Sequence, residues 1–134
     1  MNRVLGVGLD LVDLDRMSRL LDRHGEGAVR RICRPTEPRA ASGPARVAHI
    51  AGLFAAKEAA MKALGTGWAA GIGFHQIEVV RNGAGAPALT LHGAARRRAD
   101  AMGVSAMHLS ITHDARTAAA VVILEGVQPT EAVS

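Results

Sequence analysis

Between Arg3 and Val12 the chain alternates, with Val4, Gly6, Gly8, Asp10 and Val12 on one side and Leu5, Val7, Leu9 and Leu11 on the other. A period of two marks a strand. It places Asp10 on the same face as two glycines, which leave room beside it for a ligand or another backbone. Asp13 and Asp15 then supply helix-start signals, and Leu14, Met17, Leu20 and Leu21 recur at helical spacing until Gly25. On that helix Arg16, Arg19 and Arg23 fall at i, i+3 and i+7 and form one exposed basic stripe.

Residues 34–44, rich in Pro, Ala, Gly and Ser, read as a loop. A long Ala-rich helix is expected from about Ala45 to Leu64, stopped by Gly65 as a C-cap. Its apolar stripe is Ile50, Leu53, Phe54, Met61 and Leu64, with Lys57 near the centre and Glu58 on the edge. A lysine in that position needs a negative partner. Past the glycine-dense segment 65–73, strands are expected at 75–81 and 88–92, joined by the turn signal Asn82-Gly83 through Pro87. Residues 94–102 suit a short helix carrying Arg96-Arg97-Arg98. Met107, Leu109 and Ile111 alternate with His108, Ser110 and Thr112, and a last apolar run, Ala118 to Leu124, follows a turn near Asp114-Ala115-Arg116. Strands separated by short turns argue for antiparallel pairing, so the expected class is α+β, an antiparallel sheet packed against about three helices.

At 134 residues the chain is expected to form one domain, residues 1–126, with a disordered tail at 127–134. No apolar run reaches the roughly 20 residues that span a bilayer, and the first residues lack the pattern of a signal peptide, so a cytoplasmic protein without membrane contact is expected. Cys33 is the single cysteine, which leaves no internal disulfide and no thiolate metal cluster within one chain. The net charge of +4 favours an acidic partner. With Phe54, Phe74 and Trp68 as the aromatics and no tyrosine, a base-stacking surface for single-stranded nucleic acid is not expected.

Two carboxylates in apolar surroundings carry the chemistry. Asp10 lies inside Gly6-Val7-Gly8-Leu9-Asp10-Leu11-Val12 and Glu58 inside Phe54-Ala55-Ala56-Lys57-Glu58-Ala59-Ala60. Each costs several kcal/mol to keep ionised without a compensating cation or hydrogen bonds. A shared cation answers both. A plain alternative for Glu58 is a surface pair with Lys62 one turn on, worth only about 0.2–0.5 kcal/mol.

Those two runs, with Arg16 downstream of the first, belong to a larger set: Arg31-Ile32-Cys33 leading to Glu37, Lys62-Ala63-Leu64-Gly65-Thr66-Gly67, Gly85-Ala86-Pro87, and His108-Leu109-Ser110-Ile111-Thr112-His113. In this order, over residues 3 to about 125, the set resembles the holo-acyl-carrier-protein synthases, the short form of the 4′-phosphopantetheinyl transferases. The resemblance implies transfer of the 4′-phosphopantetheine arm of coenzyme A to a serine of apo acyl carrier protein, releasing adenosine 3′,5′-bisphosphate, in fatty acid biosynthesis. It implies Asp10 and Glu58 as ligands of Mg²⁺, which takes one or two carboxylates while waters and substrate phosphate oxygens fill its octahedron. Longer relatives have another acidic ligand two residues after the strand aspartate; here that place is Val12, and a water is expected there.

The same resemblance marks Lys62 and His113 as catalytic, with Glu58 competing as general base. It marks Lys57, Lys62, Gly65, Thr66, Pro87 and His113 as coenzyme A contacts, and Arg16, Arg19 and Arg23 as the face that meets the carrier protein. Without it, Gly65 reads as a helix cap and His113 equally well as a structural histidine. Relatives often carry Arg where this chain has Leu53, so one phosphate or carrier contact is lost or relocated. Short forms are homotrimers with sites between subunits, and that is the assembly expected here. Two rival readings stand beside this one: the same reaction on a polyketide or peptide-synthase carrier domain, and a basic nucleic-acid-binding module built on Arg96-Arg97-Arg98 and the Arg16 stripe. The second leaves Asp10 and Glu58 unexplained.

Overall fold

The computed structural model describes residues 1–37, 42–65 and 71–129. The elements run β1 (Arg3–Asp13), α1 (Leu14–His24), α2 (Glu26–Ile32), α3 (Gly43–Leu64), β2 (Ile77–Arg81), β3 (Pro87–Leu91), α4 (Gly93–Met102), β4 (Val104–His113) and β5 (Thr117–Gly126). The α+β class holds, with four helices among the described residues where about three were expected. The addition is α2, seven residues long and too short to display a full amphipathic period. It buries Ala28, Val29 and Ile32.

Three strands form an antiparallel sheet in the order β1-β5-β4, while β2 and β3 form a separate antiparallel hairpin. The hairpin turns on Asn82, whose side-chain oxygen accepts from the backbone N–H of Ala84 and Ala86. Gly85 takes the left-handed φ of 84° that closes it. Pro87 opens β3 opposite Arg81, and residues 74–76 make a short 3₁₀ turn ahead of β2 where strand was expected. At the β4–β5 turn, the Asp114 carboxylate accepts from the backbone N–H of Arg116 and Thr117. Gly126 closes β5, and Val127, placed in the tail by the sequence, donates to the Gly103 carbonyl. Residues 130–134 lie outside the described residues.

The core is organised around α3. Asp13 caps α1 by accepting from Asp15 N–H, and Gly65 ends α3 in the left-handed conformation with φ 75°. The expected one-sided stripe on α3 is in fact burial on nearly every side: Ala51, Ala55, Ala56, Ala59 and Ala60 are enclosed together with Ile50, Leu53, Met61 and Leu64. The sheet packs one side, α1 and α2 another and the β2–β3 hairpin a third. Alanine keeps these approaches short. Against the sheet the approach becomes backbone on backbone: a Cβ at Gly8 would stand 1.7 Å from the Ala59 carbonyl oxygen, and one at Gly6 2.1 Å from that of Ala63.

Directly opposed residues in antiparallel strands share a face. The outer face of the sheet is therefore Val7–Ile123–His108, Leu9–Val121–Ser110 and Leu11–Ala119–Thr112. Val7, Leu9 and Leu11 are more than half exposed on it. His108 Nε2 lies 3.0 Å from the Glu125 carboxylate.

Candidate active site

Strand β1 and helix α3 run past each other in opposite directions, so Gly6 meets Ala63, Gly8 meets Ala59, and Asp10 continues toward the middle of the helix. This close crossing brings Asp10 to the side of α3 that carries Glu58 and Lys62. Lys62 Nζ donates to Asp10 Oδ1 at 3.1 Å and to the Leu9 carbonyl at 2.9 Å. The lysine is thus drawn to the strand rather than into a helix-surface pair with Glu58. Burial, followed by the neighbouring Asp10 charge, holds the Glu58 carboxyl above the usual carboxylate value, while Lys62 partly offsets both. Two carboxylates that repel one another beside one ammonium are short of positive charge.

That donor set fits a hard divalent cation: two carboxylates, with space left for oxygen ligands from water and substrate. Among the described residues no third His, Cys, Asp or Glu joins them in a group able to hold a metal. Val12 faces the core on the Asp10 side and is buried, so it offers neither a ligand nor room for one of its own. Gly65 stands as the helix cap at the far end of α3; Thr66, Gly67 and Trp68 lie outside the described residues.

The structure corrects the reading of Lys57. Its side chain is completely buried and its ammonium donates to Glu37 Oε1 at 2.8 Å and to the Phe74 carbonyl at 3.1 Å. Desolvation lowers its pKa and the Glu37 carboxylate counters this. The other oxygen of Glu37 accepts from Val79 N–H at 3.0 Å. Lys57 therefore has no face toward a substrate phosphate. Its negative partner, which the sequence demanded without naming, is the glutamate ending the Arg31-Ile32-Cys33 segment.

His113 ends β4 and is exposed, but it does not join Asp10 within the chain. Asp10 is opposite Ala120, which is opposite Ile111, while His113 is opposite Ala118. Two strand spacings and a two-residue offset separate the groups by about 12 Å. His113 instead lines a second cleft of about 590 Å³ with His49, Leu53, Arg81, Pro87 and Ile111. Two imidazoles and a guanidinium rim an apolar floor there, and the nearby Asp114 carboxylate is engaged in its turn. His49 and Arg81 were missed from the sequence. Only the hairpin's placement beside the first half of α3 brings them together.

Arg16, Arg19 and Arg23 are exposed and border a groove with Leu11, Met17, Leu20 and Phe54, so the basic stripe flanks an apolar trough beside β1. The run Arg96-Arg97-Arg98 behaves differently. Arg96 pairs with Asp100 on its own helix, and Arg98 Nε donates to the Leu64 carbonyl at the end of α3.

Comparison with known proteins gives the chain a family. Residues 6–122 match the model of the 4′-phosphopantetheinyl transferase superfamily. The chain is 54% identical over 123 residues to a holo-[acyl-carrier-protein] synthase of Solidesulfovibrio magneticus, covering 92% of this chain and 99% of that one. Its fold matches the crystal structure of the Neisseria meningitidis holo-[acyl-carrier-protein] synthase with a TM-score of 0.81 at 32% identity, over 91% of this chain and 98% of that one. It also matches the Bacillus anthracis synthase in complex with CoA (3′,5′-ADP), with a TM-score of 0.75 at 32% identity, over 92% and 98% of the two chains. With Asp10, Glu58 and Lys62 gathered at one crossing and both sequence and fold aligned over nearly the whole length, the chain belongs to the 4′-phosphopantetheinyl transferase superfamily.

Proposed function

We propose that this chain is a Mg²⁺-dependent holo-acyl-carrier-protein synthase, moving 4′-phosphopantetheine from coenzyme A to a carrier-protein serine. The observation that carries the reading is the crossing of β1 and α3, where Asp10, Glu58 and Lys62 meet with too little positive charge. In the reaction the serine Oγ attacks the phosphorus next to the pantetheine arm, a new P–O bond forms, and the bond to the bridging oxygen breaks. Adenosine 3′,5′-bisphosphate leaves with the electron pair, and the serine proton passes to a base. When bound, Mg²⁺ supplies charge neutralisation at the diphosphate. Asp10 and Glu58 would hold it, and Lys62 fixes the Asp10 carboxylate while keeping its one remaining ammonium proton for the phosphates.

The cleft of His49, Arg81, Pro87 and His113 serves the same reaction from another subunit. Its cationic rim over an apolar floor suits the adenosine 3′-phosphate end of coenzyme A, with Arg81 and His49 supplying the charge absent at Leu53. His113 is also placed to accept the serine proton. Because His113 lies about 12 Å from Asp10 in one chain, a complete centre needs a second copy. The outer sheet face supports a homotrimer: Val7, Leu9 and Leu11 stand exposed in a row continuous with Val121 and Ile123. A second copy is the occupant that chemistry favours, since the patch is mostly apolar, with Ser110, Thr112 and the His108–Glu125 pair as its polar groups along β4 and β5. Lys62, bound to its own Asp10, belongs to the metal side and does not cross between subunits. The Arg16, Arg19 and Arg23 face meets the acidic carrier.

Mass spectrometry of an apo carrier protein incubated with coenzyme A and Mg²⁺ tests the reaction; a gain of one phosphopantetheine is expected, and an unchanged mass rejects it. Mixing Asp10→Ala and His113→Ala chains tests the shared centre. Activity is expected to return on subunit exchange. A monomer by light scattering that is fully active when dilute would reject sharing.

A further inference from the structure

The buried Glu37–Lys57 pair takes no part in the proposed chemistry, yet it joins three separate pieces of the molecule. The lysine comes from the middle of α3, the glutamate from the loop after α2, and the second glutamate oxygen holds Val79 of β2. Phe74, just before β2, supplies the carbonyl that takes another lysine proton. Along its length α3 presents alanines: Ala55, Ala56, Ala59, Ala60 and Ala63 are all buried. Such a smooth surface packs closely but has few knobs, so small rotations or slides of the helix cost little dispersion energy. A buried polar pair in an otherwise apolar interface can fix register at a cost in stability, because any other register leaves charges unpaired.

Residues 57 and 58 point about 100° apart around a helix. We infer that the Glu37–Lys57 pair is a register lock: by fixing where Lys57 points, it sets the azimuth at which Glu58 faces Asp10, and so prepares the cation site. The lock also ties α3 to the strand that carries Arg81, two residues beyond Val79. Lys57 and Glu37 are thus positioning residues. The inference rests on the proposed transferase reading, which assigns Asp10 and Glu58 to the metal.

Two variants test it. The double variant Glu37→Leu/Lys57→Met removes both charges and keeps the volume, and such replacements of buried pairs are often neutral or stabilising. The variant Glu37→Asp keeps the charges but shortens the bridge by about 1.5 Å. Mn²⁺ binding is followed through the loss of the free-ion electron paramagnetic resonance signal in the presence of coenzyme A, alongside thermal unfolding and transfer kinetics. The expected result is a weakening of Mn²⁺ affinity by about tenfold in the double variant if it folds, and a smaller weakening in Glu37→Asp, with the carrier KM unchanged in the folded protein. Wild-type Mn²⁺ affinity in either folded variant overturns the lock, because a merely stabilising pair would move the unfolding temperature and leave the site alone. If the double variant does not fold, Glu37→Asp alone decides. Should the wild-type protein bind no Mn²⁺ and transfer nothing, the transferase reading fails instead.

Discussion

Lys57 and Lys62 stand five residues apart on one helix and each is bonded to a carboxylate, but their surroundings are opposite. The Lys57–Glu37 pair is sealed from water, whereas the Lys62 side chain is 54% exposed and its Asp10 partner 15%. A sealed pair meets neither water nor substrate, so it can only hold structure. An open pair can meet both and can exchange partners. Charge that must be available to a substrate belongs at the second kind of position, and motif spacing alone does not distinguish the two.

Removing the open region's carboxylates tests the comparison most severely. Asp10→Ala and Glu58→Ala are each expected to lower transfer by roughly 10³-fold, the scale on which loss of an aimed electrostatic group acts, while circular dichroism shows an intact fold. Near wild-type turnover of both folded variants at limiting Mg²⁺ would remove the metal assignment.

The lysines themselves should separate in stability. Breaking a buried pair by removing one partner leaves an uncompensated charge and costs about 3–5 kcal/mol, so Lys57→Ala is expected to lose most of a small domain's margin in urea unfolding. Lys62→Ala should change stability by less than about 1 kcal/mol, since exposed pairs contribute little, and should act on kcat instead. Equal destabilisation by the two would erase the distinction drawn above.

Most elements were legible because their periods are long and their punctuation strong. β1 alternates from Gly6 onward, past an irregularity at Leu5 that turns Val4 outward, Asp13 and Gly25 bracket α1, and Gly65 ends α3. The residues proposed to hold the metal stood out for the same reason, as carboxylates in apolar runs. What could not be read depends on pairings between distant segments. Glu37 meets Lys57 across 20 residues, and His49 meets Arg81 only through the docking of a hairpin. α3 misled because a helix enclosed on all sides has no polar face to give its orientation. Lys57 reads near the centre of the apolar stripe and still counts among the coenzyme A contacts by resemblance, whereas it is buried in the core.

A smaller effect is expected at the basic stripe, which is exposed like Lys62. Reversing Arg16 and Arg19 to Glu should raise the carrier KM by about tenfold, with strong salt dependence, because rim charges act mainly on encounter. Coenzyme A affinity should stay the same. An equal loss for both substrates in a steady-state assay would contradict a separate carrier face.

The smallest effect concerns pH. Glu58 has its pKa raised in the folded protein, so the free protein loses stability as pH rises through that folded value and the carboxylate charges next to Asp10. Below the unfolded value, about 4.5, it is protonated in both states and exerts no such penalty. A divalent cation removes the penalty, so the rise in unfolding temperature on adding Mg²⁺ should be small near about pH 4 and grow toward about pH 8. A rise independent of pH in differential scanning calorimetry would detach Glu58 from the cation.

The contact of Gly6 and Gly8 with the carbonyls of Ala63 and Ala59 bears on how such a centre can drift through its history. Most active sites rest on side chains, and neutral exchanges in the core can shift them by tenths of an ångström. Here the gap between the strand that carries the aspartate and the helix that carries the glutamate is ruled by main-chain atoms in contact, so side-chain exchanges elsewhere do little to thin or thicken it. Lineages are then free to replace much of the surrounding core while strand and helix keep one distance of approach, as if gauged by the peptide backbone itself, and only the turn of the helix is left for side chains to set.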